Sequence, residues 1–282
     1  MNDVSALGEL LAARGVVVLS GAGLSTESGI PDYRGPTGAA RTTSPMTYQL
    51  FVGDAAARQR YWARSYLGWR QIADARPNAG HYAVAELQRQ GLLDGIITQN
   101  VDGLHQAAGA LDVIELHGGL EQVVCLGCGV LEGRRSLDDR LRAANPDFRA
   151  VAAAINADGD VELPDEALQD FRVVGCRVCD DGLIKPDVVF FGENVPRPRV
   201  QACFDLVDNA ESLLVLGSSL TVMSGLRFVR RAAANGTPVA IVNQGPTRGD
   251  ELATLRIDAP LGELLSALAG QGGLAGLSAR VG

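Results

Sequence analysis

Four of the five cysteines form two Cys-x-x-Cys pairs, Cys125 with Cys128 and Cys176 with Cys179. Two such pairs supply four thiolates, which is the ligand set of a closed, tetrahedral zinc site. Because four protein ligands leave no open position for a water molecule, we predict a structural zinc ion rather than a catalytic one. A disulfide or redox role is the alternative that the spacing leaves open. The fifth cysteine, Cys203, stands alone, and we expect it to be a buried core thiol.

One of the three histidines stands where a general base could act. His117 directly follows an apolar run, residues 113–116, and precedes two glycines, so we expect its ring at a strand end with space for a substrate. The near-neutral pKa of an imidazole suits proton transfer from a hydroxyl group. We expect His105 to be structural. His81 comes at the predicted start of a helix, where capping or a surface position is the expectation.

A glycine-rich loop that begins with the sequence GAG follows the first apolar run, residues 16–20. Glycines at this place let backbone N–H groups approach a pyrophosphate, with a helix N-terminus behind them. The dehydrogenase fingerprint G-x-G-x-x-G is not present, because Thr26 occupies the third glycine position. About 20 residues further on stands Arg41, where that fingerprint needs an acid for the ribose. Taken alone, the loop is equally well interpreted as a tight turn that needs positive φ.

Two polar residues, Asn100 and Asp102, follow another apolar run, residues 96–98. In open α/β sheets, ligands bind outside the carboxyl ends of the strands. The alternative interpretation of an Asn-x-Asp sequence is a turn that caps the next helix.

Six short apolar runs, rich in β-branched residues, alternate with helical stretches along the chain. They are residues 16–20, 96–98, 113–116, 188–191, 213–216 and 239–242. Strands that are apolar on both faces are typical of a parallel sheet covered by helices on both sides. We therefore predict an α/β fold with a Rossmann-type, doubly wound parallel sheet.

Two stretches interrupt this alternation, and we predict that both build a smaller inserted domain. Residues 41–76 form a helical insertion rich in arginine and aromatic residues, whereas residues 121–183 form a zinc-binding insertion with an acidic surface segment. The Rossmann-type domain is then discontinuous and consists of residues 1–40, 77–120 and 184–270. We expect residues 271–282, which are rich in Gly and Ala, to form a flexible tail.

The chain has 282 residues and a net charge of −8, from 25 Lys and Arg against 33 Asp and Glu. This charge disfavours binding to nucleic acid or to acidic membrane surfaces. Neither a secretory signal nor a membrane span is visible, and Cys-x-x-Cys metal ligands fit a reducing compartment, so we predict a cytoplasmic protein. Lys185 is the only lysine.

Several motifs in order resemble those of the sirtuins, NAD-dependent protein-lysine deacylases with a Rossmann-type domain and a small zinc-ribbon domain. The motifs are GAGLSTESGIPDYRG (21–35), TQNVDGLH (98–105), HG (117–118), KPDVVFFGE (185–193), GSSL (217–220) and NQG (243–245). The resemblance extends over residues 16–265, and the PDYRG and RQRYWAR segments resemble the class II branch, which has bacterial members.

The resemblance implies that NAD is a co-substrate. The residues it places around NAD are Gly21, Ala22, Gly23, Ser25, Ile30, Pro31, Asp32, Tyr33, Arg34, Gln99, Asn100, Val101, Asp102, Gly217, Ser218, Ser219, Asn243, Gln244, Gly245 and Leu261. It also implies that His117 is the general base and that Asn100 positions the ribose and a water molecule. The acyl-lysine oxygen then displaces nicotinamide, and the products are free lysine and O-acyl-ADP-ribose.

The partners that the resemblance implies are acyl-lysine protein substrates, bound by strand addition. The segment that would pair with the substrate peptide consists of Val188, Val189, Phe190, Phe191, Gly192 and Glu193. Tyr61 and Arg64 resemble the Tyr-x-x-Arg pair with which desuccinylating sirtuins hold an acyl carboxylate. Residues three apart share one side of a helix, so our hypothesis is that this pair lines the acyl channel and favours acidic or bulky acyl groups.

Two other functions fit the same motifs. The first is a protein mono-ADP-ribosyltransferase, which shares the activation of NAD and differs in the acceptor. The second is a non-catalytic zinc-ribbon binding module, which the presence of Asn100, Asp102 and His117 disfavours.

Overall fold

The computed structural model describes residues 3–32, 45–148, 168, 170–179 and 182–270. Within these ranges the strands are β1 (Val16–Ser20), β2 (Leu93–Thr98), β3 (Val113–Glu115), β4 (Gly118–Cys125), β5 (Leu131–Gly133), β6 (Ile184–Val188), β7 (Ser212–Leu216), β8 (Val239–Val242) and β9 (Leu255–Ile257). The helices are α1 (Asp3–Ala12), α2 (Tyr48–Gly53), α3 (Ala55–Asp74), α4 (Ala79–Arg89), α5 (Leu104–Ala107), α6 (Arg134–Ala144), α7 (Arg197–Asp208), α8 (Met223–Asn235) and α9 (Leu261–Gly270).

The larger sheet has six strands in the order β3-β2-β1-β7-β8-β9, and every neighbouring pair is parallel. Counted within this sheet alone, the order is 3-2-1-4-5-6, which is that of a Rossmann-type fold. From β1 the sheet extends to one side through β2 and β3 and to the other side through β7, β8 and β9. Ligands of such folds bind at this switch point between β1 and β7. The predicted α/β, doubly wound architecture is therefore confirmed.

Side chains that alternate along the central strands pack into two separate cores. Val16 and Val18 of β1 point to the face covered by α1, α4 and α9. Val17 and Leu19 point to the opposite face, which α7 and α8 cover. Because both faces are buried, every residue of β1, β7 and β8 is buried, as the uninterrupted apolar runs predict.

The smaller domain is built on an antiparallel sheet in the order β5-β4-β6, against which the insertion helices pack. Its core contains Phe51 of α2 and Tyr61, Trp62 and Trp69 of α3. Arg134 of α6 is buried between two of these rings, 5.4 Å from that of Trp62 and 4.7 Å from that of Trp69. The indole faces stabilise the guanidinium, although burial lowers its pKa to about 10.

One of the six predicted strands of the parallel sheet is wrong. The strand near residues 188–191 is β6, which ends at Val188 and pairs with β4 in the smaller sheet. The sixth parallel strand is β9, at the sheet edge. Since β4 and β6 lie in the smaller sheet, residues 118–120 and 184–188 contribute there rather than to the Rossmann-type sheet. The predicted tail, 271–282, and most of the predicted acidic segment lie outside the described residues.

No helix within the described ranges is long and apolar enough to cross a membrane.

Candidate active site and metal centre

A cavity of about 880 Å³ lies at the carboxyl ends of the parallel strands, between the Rossmann-type sheet and the smaller domain. The loops that follow β1, β2, β7 and β8 form one wall, and the segment that follows β6 contributes to the other. Because these loops start at neighbouring strand ends, residues far apart in sequence meet around one space. The cavity therefore lies where a Rossmann-type fold binds its ligand.

The glycine-rich loop lies directly against the loop that follows β7. The Gly23 N–H donates to the Gly217 carbonyl at 2.8 Å, and a Cβ on Gly23 would lie 2.8 Å from the same oxygen. Gly217 itself has φ of +61°, a left-handed conformation that favours glycine. The close contact and the positive φ therefore explain a glycine at both positions, and the two loops pack on each other at the cavity.

Asn100 and Asp102 hold the glycine-rich loop from the side of β2. Asn100 Nδ2 donates to the Gly21 carbonyl at 3.1 Å and to Ser25 Oγ at 3.0 Å. Ser25 Oγ in turn donates to an Asp102 carboxylate oxygen at 2.7 Å. The other oxygen of Asp102 accepts from the Leu104 N–H at 2.9 Å, beside Gly103, the N-cap residue of α5. The predicted turn at the start of the next helix is therefore present, and Asn100 and Asp102 also line the cavity.

The His117 ring is held by one partner on each nitrogen. Nδ1 lies 2.9 Å from the Gln99 carbonyl oxygen, which can only accept, so Nδ1 carries the proton. The other nitrogen, Nε2, therefore has the free lone pair, and it lies 2.8 Å from Ser224 Oγ. Burial lowers the pKa of His117, and Arg199 and Arg227 lower it further, against the raising effect of the Gln99 hydrogen bond. The ring is thus neutral near pH 7, which is the form that a general base requires.

Gln99 joins three strand ends behind this histidine. Its Nε2 donates to Ser218 Oγ at 2.8 Å and to the Ser20 carbonyl at 3.3 Å. A Cβ on Gly225 would lie 2.5 Å from Gln99 Oε1, so the first turn of α8 packs tightly on this side chain. The position of the His117 ring is therefore fixed by β1, β2, β7 and α8 together.

The other two histidines lie outside the cavity lining, in a buried polar cluster. His81 accepts the Asn78 N–H at its Nδ1 as part of a capping box, which confirms its predicted capping role. His105 Nε2 lies 2.8 Å from Ser20 Oγ, and Ser20 donates to Thr98 Oγ1. The two rings meet edge to face with centroids 5.2 Å apart. Burial lowers the pKa of His105 to about 3, so this histidine is structural and neutral.

The four predicted zinc ligands come together at one end of β4. Cys125, Cys128, Cys176 and Cys179 place their Sγ atoms within 4.8 Å of one another. The Cys125–Cys179 and Cys128–Cys176 pairs are separated by 3.6 and 3.7 Å. A tetrahedron with Zn–S bonds of about 2.3 Å has edges of about 3.8 Å, whereas a disulfide requires about 2.05 Å.

Backbone groups around this cluster complete the environment of four thiolates. The Cys128 N–H donates to Cys125 Sγ at 3.5 Å, and the Val178 N–H donates to Cys176 Sγ at 3.3 Å. A Cβ on Gly182 would lie 2.1 Å from Cys125 Sγ, so a side chain has no room there. These residues fit a structural zinc ion. Cys203 is fully buried in the core under α7, and burial raises the pKa of its thiol to about 12.

The only lysine fastens the segment that follows β6. Lys185 Nζ donates to Glu193 Oε2 at 3.2 Å and to the carbonyls of Pro186 and Val188. Glu193 Oε2 also accepts the Phe190 N–H at 2.8 Å. Burial lowers the pKa of Lys185, whereas the Glu193 carboxylate raises it. The lysine thus holds residues 188–193 in a compact turn at the cavity wall.

Most of the predicted site residues line the cavity, although two described ones do not. Its lining includes Asp32, Tyr61, Leu261 and every predicted residue of the strand-end loops. Pro31 and Arg64 are absent from the lining. Of the pair that was expected to face the acyl channel, Tyr61 lines the cavity and Arg64 does not. Tyr33 and Arg34 lie outside the described residues.

Several lining residues were not predicted. They are Thr26, Glu27, Pro45, Met46, Asn194, Val195, Leu220, Thr221, Val222, Met223, Ser224, Arg227, Pro246 and Ala259. Ser224 and Arg227 are the informative ones, since they occupy the first turns of α8, three residues apart on one side of the helix. A helix that starts beyond a strand end points its first turn at the ligand, which is the pattern that could have indicated them.

A comparison of the sequence with models of known protein families identifies the family of this chain. The model of the Sir2 family matches residues 21–224, which include the glycine-rich loop, Asn100, His117 and all four cysteines of the metal centre. The chain belongs to the Sir2 family. The predicted resemblance to the sirtuins is therefore confirmed.

Two bacterial members of the family show how far the similarity extends. The chain is 62% identical over 273 residues to NAD-dependent protein deacetylase 1 of Streptomyces coelicolor, covering 97% of this chain and 91% of that protein. It is 52% identical over 265 residues to NAD-dependent protein deacetylase 1 of Mycobacterium avium, covering 92% of each. The similarity thus includes both domains.

Solved Sir2 structures have the same fold. A complex of Sir2 with a p53 peptide and NAD+ has a TM-score of 0.77 and 31% identity, covering 98% of this chain and 100% of that chain. A Sir2 variant with a deacetylated p53 peptide and 3'-O-acetyl ADP ribose has a TM-score of 0.78 and 31% identity, covering 95% of this chain and 98% of that chain.

Proposed function

We propose that this protein is an NAD-dependent protein-lysine deacylase. In the proposed reaction, an acyl-lysine, NAD and water give free lysine, O-acyl-ADP-ribose and nicotinamide. One observation carries the proposal: a neutral His117, with Nδ1 bonded to a backbone carbonyl and Nε2 unprotonated, shares a cavity with the glycine-rich loop. The relatives named above as NAD-dependent protein deacetylases support it.

NAD is the co-substrate in this proposal. The backbone of Gly21, Ala22 and Gly23 would receive the pyrophosphate, and the loops that follow β7 and β8 would receive the adenosine half. The position of this loop in the cavity lining, beside the loop that follows β7, supports this arrangement. The solved Sir2 complex that contains NAD+ supports NAD as the co-substrate.

The protein substrate would add a strand beside residues 188–193. This segment continues from β6 along the cavity wall, and Lys185 and Glu193 hold its backbone in place. Strand addition uses main-chain hydrogen bonds, so it accepts many substrate sequences. The inserted acyl-lysine would then reach the same cavity as His117.

The acyl end of the cavity favours apolar acyl groups in this proposal. Tyr61 contacts Phe51 and Phe190 edge to face, with ring centroids 5.4 and 5.2 Å away, and Met46 and Ile30 also line this space. Arg227 is the cation that the described lining contains, and it lies on α8 rather than beside Tyr61. An acidic acyl group would therefore have no cation in the described wall around Tyr61.

In the proposed mechanism, His117 acts after the acyl oxygen has replaced nicotinamide at the ribose. Nε2 takes the proton of a ribose hydroxyl, and the resulting oxygen attacks the acyl carbon. Water then adds to this carbon and the lysine amine leaves with a proton, so that the acyl group stays on the ribose. Asn100 and Asp102 would orient the ribose and the nicotinamide carboxamide, because they are themselves fixed by Gly21 and Ser25.

Zinc has a structural role in this proposal. Cys125, Cys128, Cys176 and Cys179 would hold the ion, which cross-links the turn after β4 to the segment before β6. None of the five cysteines forms a disulfide, which fits a protein that acts in the reducing cytoplasm.

The test is NAD-dependent formation of free lysine and O-acyl-ADP-ribose from an acyl peptide, with His117→Ala beside the wild type. We expect these products from the wild type and at least a 100-fold slower rate in His117→Ala, since a general base contributes about 10²–10⁴-fold. Equal rates in the two proteins would exclude the assigned base. ADP-ribose attached to protein instead of free lysine would favour the ADP-ribosyltransferase.

A further inference from the structure

The hydroxyl group of Ser224 contacts His117 Nε2, the atom that would accept the ribose proton in the proposed reaction. Because Nδ1 donates to the Gln99 carbonyl, Nε2 can only accept in the neutral ring, and the serine must be the donor in the 2.8 Å contact. The serine proton therefore points into the lone pair that a ribose hydroxyl would later use.

This contact is fixed on both sides. Gln99 supplies the carbonyl for His117 Nδ1, and its side chain donates to Ser218 of the loop after β7. Gly225, the residue after Ser224, packs against the same side chain so closely that a Cβ would lie 2.5 Å from Oε1. One glutamine thus sets the positions of the imidazole ring and of the serine that faces it.

We propose that Ser224 is a positioning residue for His117, whose hydroxyl group holds the Nε2 lone pair toward the cavity until a ribose hydroxyl replaces it. The inference rests on the proposed function, which assigns the general base to His117. Serine suits this task because its hydroxyl rotates freely and can give up one acceptor for another at little cost. No bond other than hydrogen bonds changes when the exchange takes place.

Charged groups around His117 also influence its pKa, and a substitution at Ser224 leaves them in place. Arg199 of α7 and Arg227 of α8 both act on His117, and both lower its pKa together with burial. Neither is changed by a substitution at Ser224. A hydrogen bond donated to Nε2 stabilises the neutral ring, so its removal alone must raise the pKa of His117.

The test compares Ser224→Ala with Ser224→Thr, which keeps the hydroxyl group, in the full-length protein. The first readout is the NMR titration of His117, which is simple to assign because the chain has three histidines. We expect the midpoint in Ser224→Ala to rise by about half to one pH unit and to return in Ser224→Thr. A midpoint in Ser224→Ala equal to that of the wild type would overturn the proposal.

The second readout is the pH dependence of kcat/KM for deacylation. Its acid limb should move upward in Ser224→Ala by the same amount, with kcat several-fold lower at neutral pH and the KM for NAD within about twofold. An acid limb at the wild-type position would also overturn the proposal. If Ser224→Ala does not fold, Ser224→Cys, a weaker donor of similar size, takes its place in both measurements. Absence of deacylation in the wild type as well as in the variants would instead contradict the proposed function. The NMR midpoint of His117 would still decide the role of Ser224.

Discussion

At the scale of single residues, the assignment of each polar group follows from its partner rather than from its type. The three histidines have the same side chain, yet the Gln99 carbonyl and the cavity make His117 a base, whereas Asn78 makes His81 a cap. His105 is neutral because it is buried and lies beside His81. Sequence motifs identified the histidine that lines the cavity, whereas Ser224 belongs to no motif and only its position in the first turn of α8 could have indicated it.

Lys185 should affect the protein substrate and not NAD. Lys185→Met leaves the Glu193 carboxylate without the ammonium group 3.2 Å away and loosens residues 188–193. We expect the KM for the acyl peptide to rise several-fold while the KM for NAD stays within about twofold. Lys185→Arg keeps the charge and is the matched control, with a smaller change expected. A peptide KM that does not change in Lys185→Met would contradict the assigned role.

The Arg64 hypothesis can be decided by acyl preference. Because Arg64 does not line the cavity, we expect Arg64→Ala to leave the ratio of kcat/KM for glutaryl and acetyl peptides unchanged. Tyr61→Leu, which removes a lining ring, should change that ratio in the same assay. A loss of glutaryl activity confined to Arg64→Ala would restore the Tyr61–Arg64 pair as the determinant.

His105 predicts how stability depends on pH. Its pKa is about 3 in the folded protein and about 6.5 in an unfolded chain, so between these values the unfolded state binds more protons. Stability contributed by neutral His105 is therefore present above pH 6.5 and decreases as the pH falls toward 3. Urea unfolding at pH 7.5 and pH 5 should show a smaller decrease for His105→Gln than for the wild type. Equal decreases in the two proteins would contradict this.

At the scale of elements, strands with an uninterrupted apolar sequence were predictable. The central strands β1, β2, β7 and β8 and the edge strand β3 were found in this way, whereas the other edge strand, β9, has only three residues, with Arg256 between Leu255 and Ile257. The apolar run 188–191 was predicted as a strand, whereas β6 lies before it and contains Lys185, Pro186 and Asp187. Proline lacks the N–H for a sheet interior, and β6 is indeed an edge strand of the smaller sheet.

The metal centre gives the test at this scale. We expect one zinc ion per chain, and Cys128→Ala should lose it and lower the Tm by several degrees, because the turn after β4 is then no longer cross-linked. Cys203→Ala is the matched control, since Cys203 lies in the separate core under α7 and should keep the zinc. Metal analysis with thermal unfolding measures both. Equal zinc loss in the two variants would contradict the four-cysteine site.

At the scale of the whole molecule, the site results from the order of the strands. The glycine-rich loop, Asn100 and Gly217 follow β1, β2 and β7, which are neighbours in the larger sheet although they are distant in sequence. The motifs predicted these residues and the sheet class. The cavity between the sheets, and the part of α8 that closes on it, depend on packing between domains, which no local pattern encodes.

The most direct test of the proposed deacylase is the identity of its products from NAD and an acetyl-lysine peptide. Mass spectrometry should find one nicotinamide and one O-acetyl-ADP-ribose for each lysine freed. In His117→Ala, O-acetyl-ADP-ribose and free lysine should form about 100-fold more slowly. Free acetate with NAD unconsumed, or ADP-ribose attached to the peptide, would contradict the account.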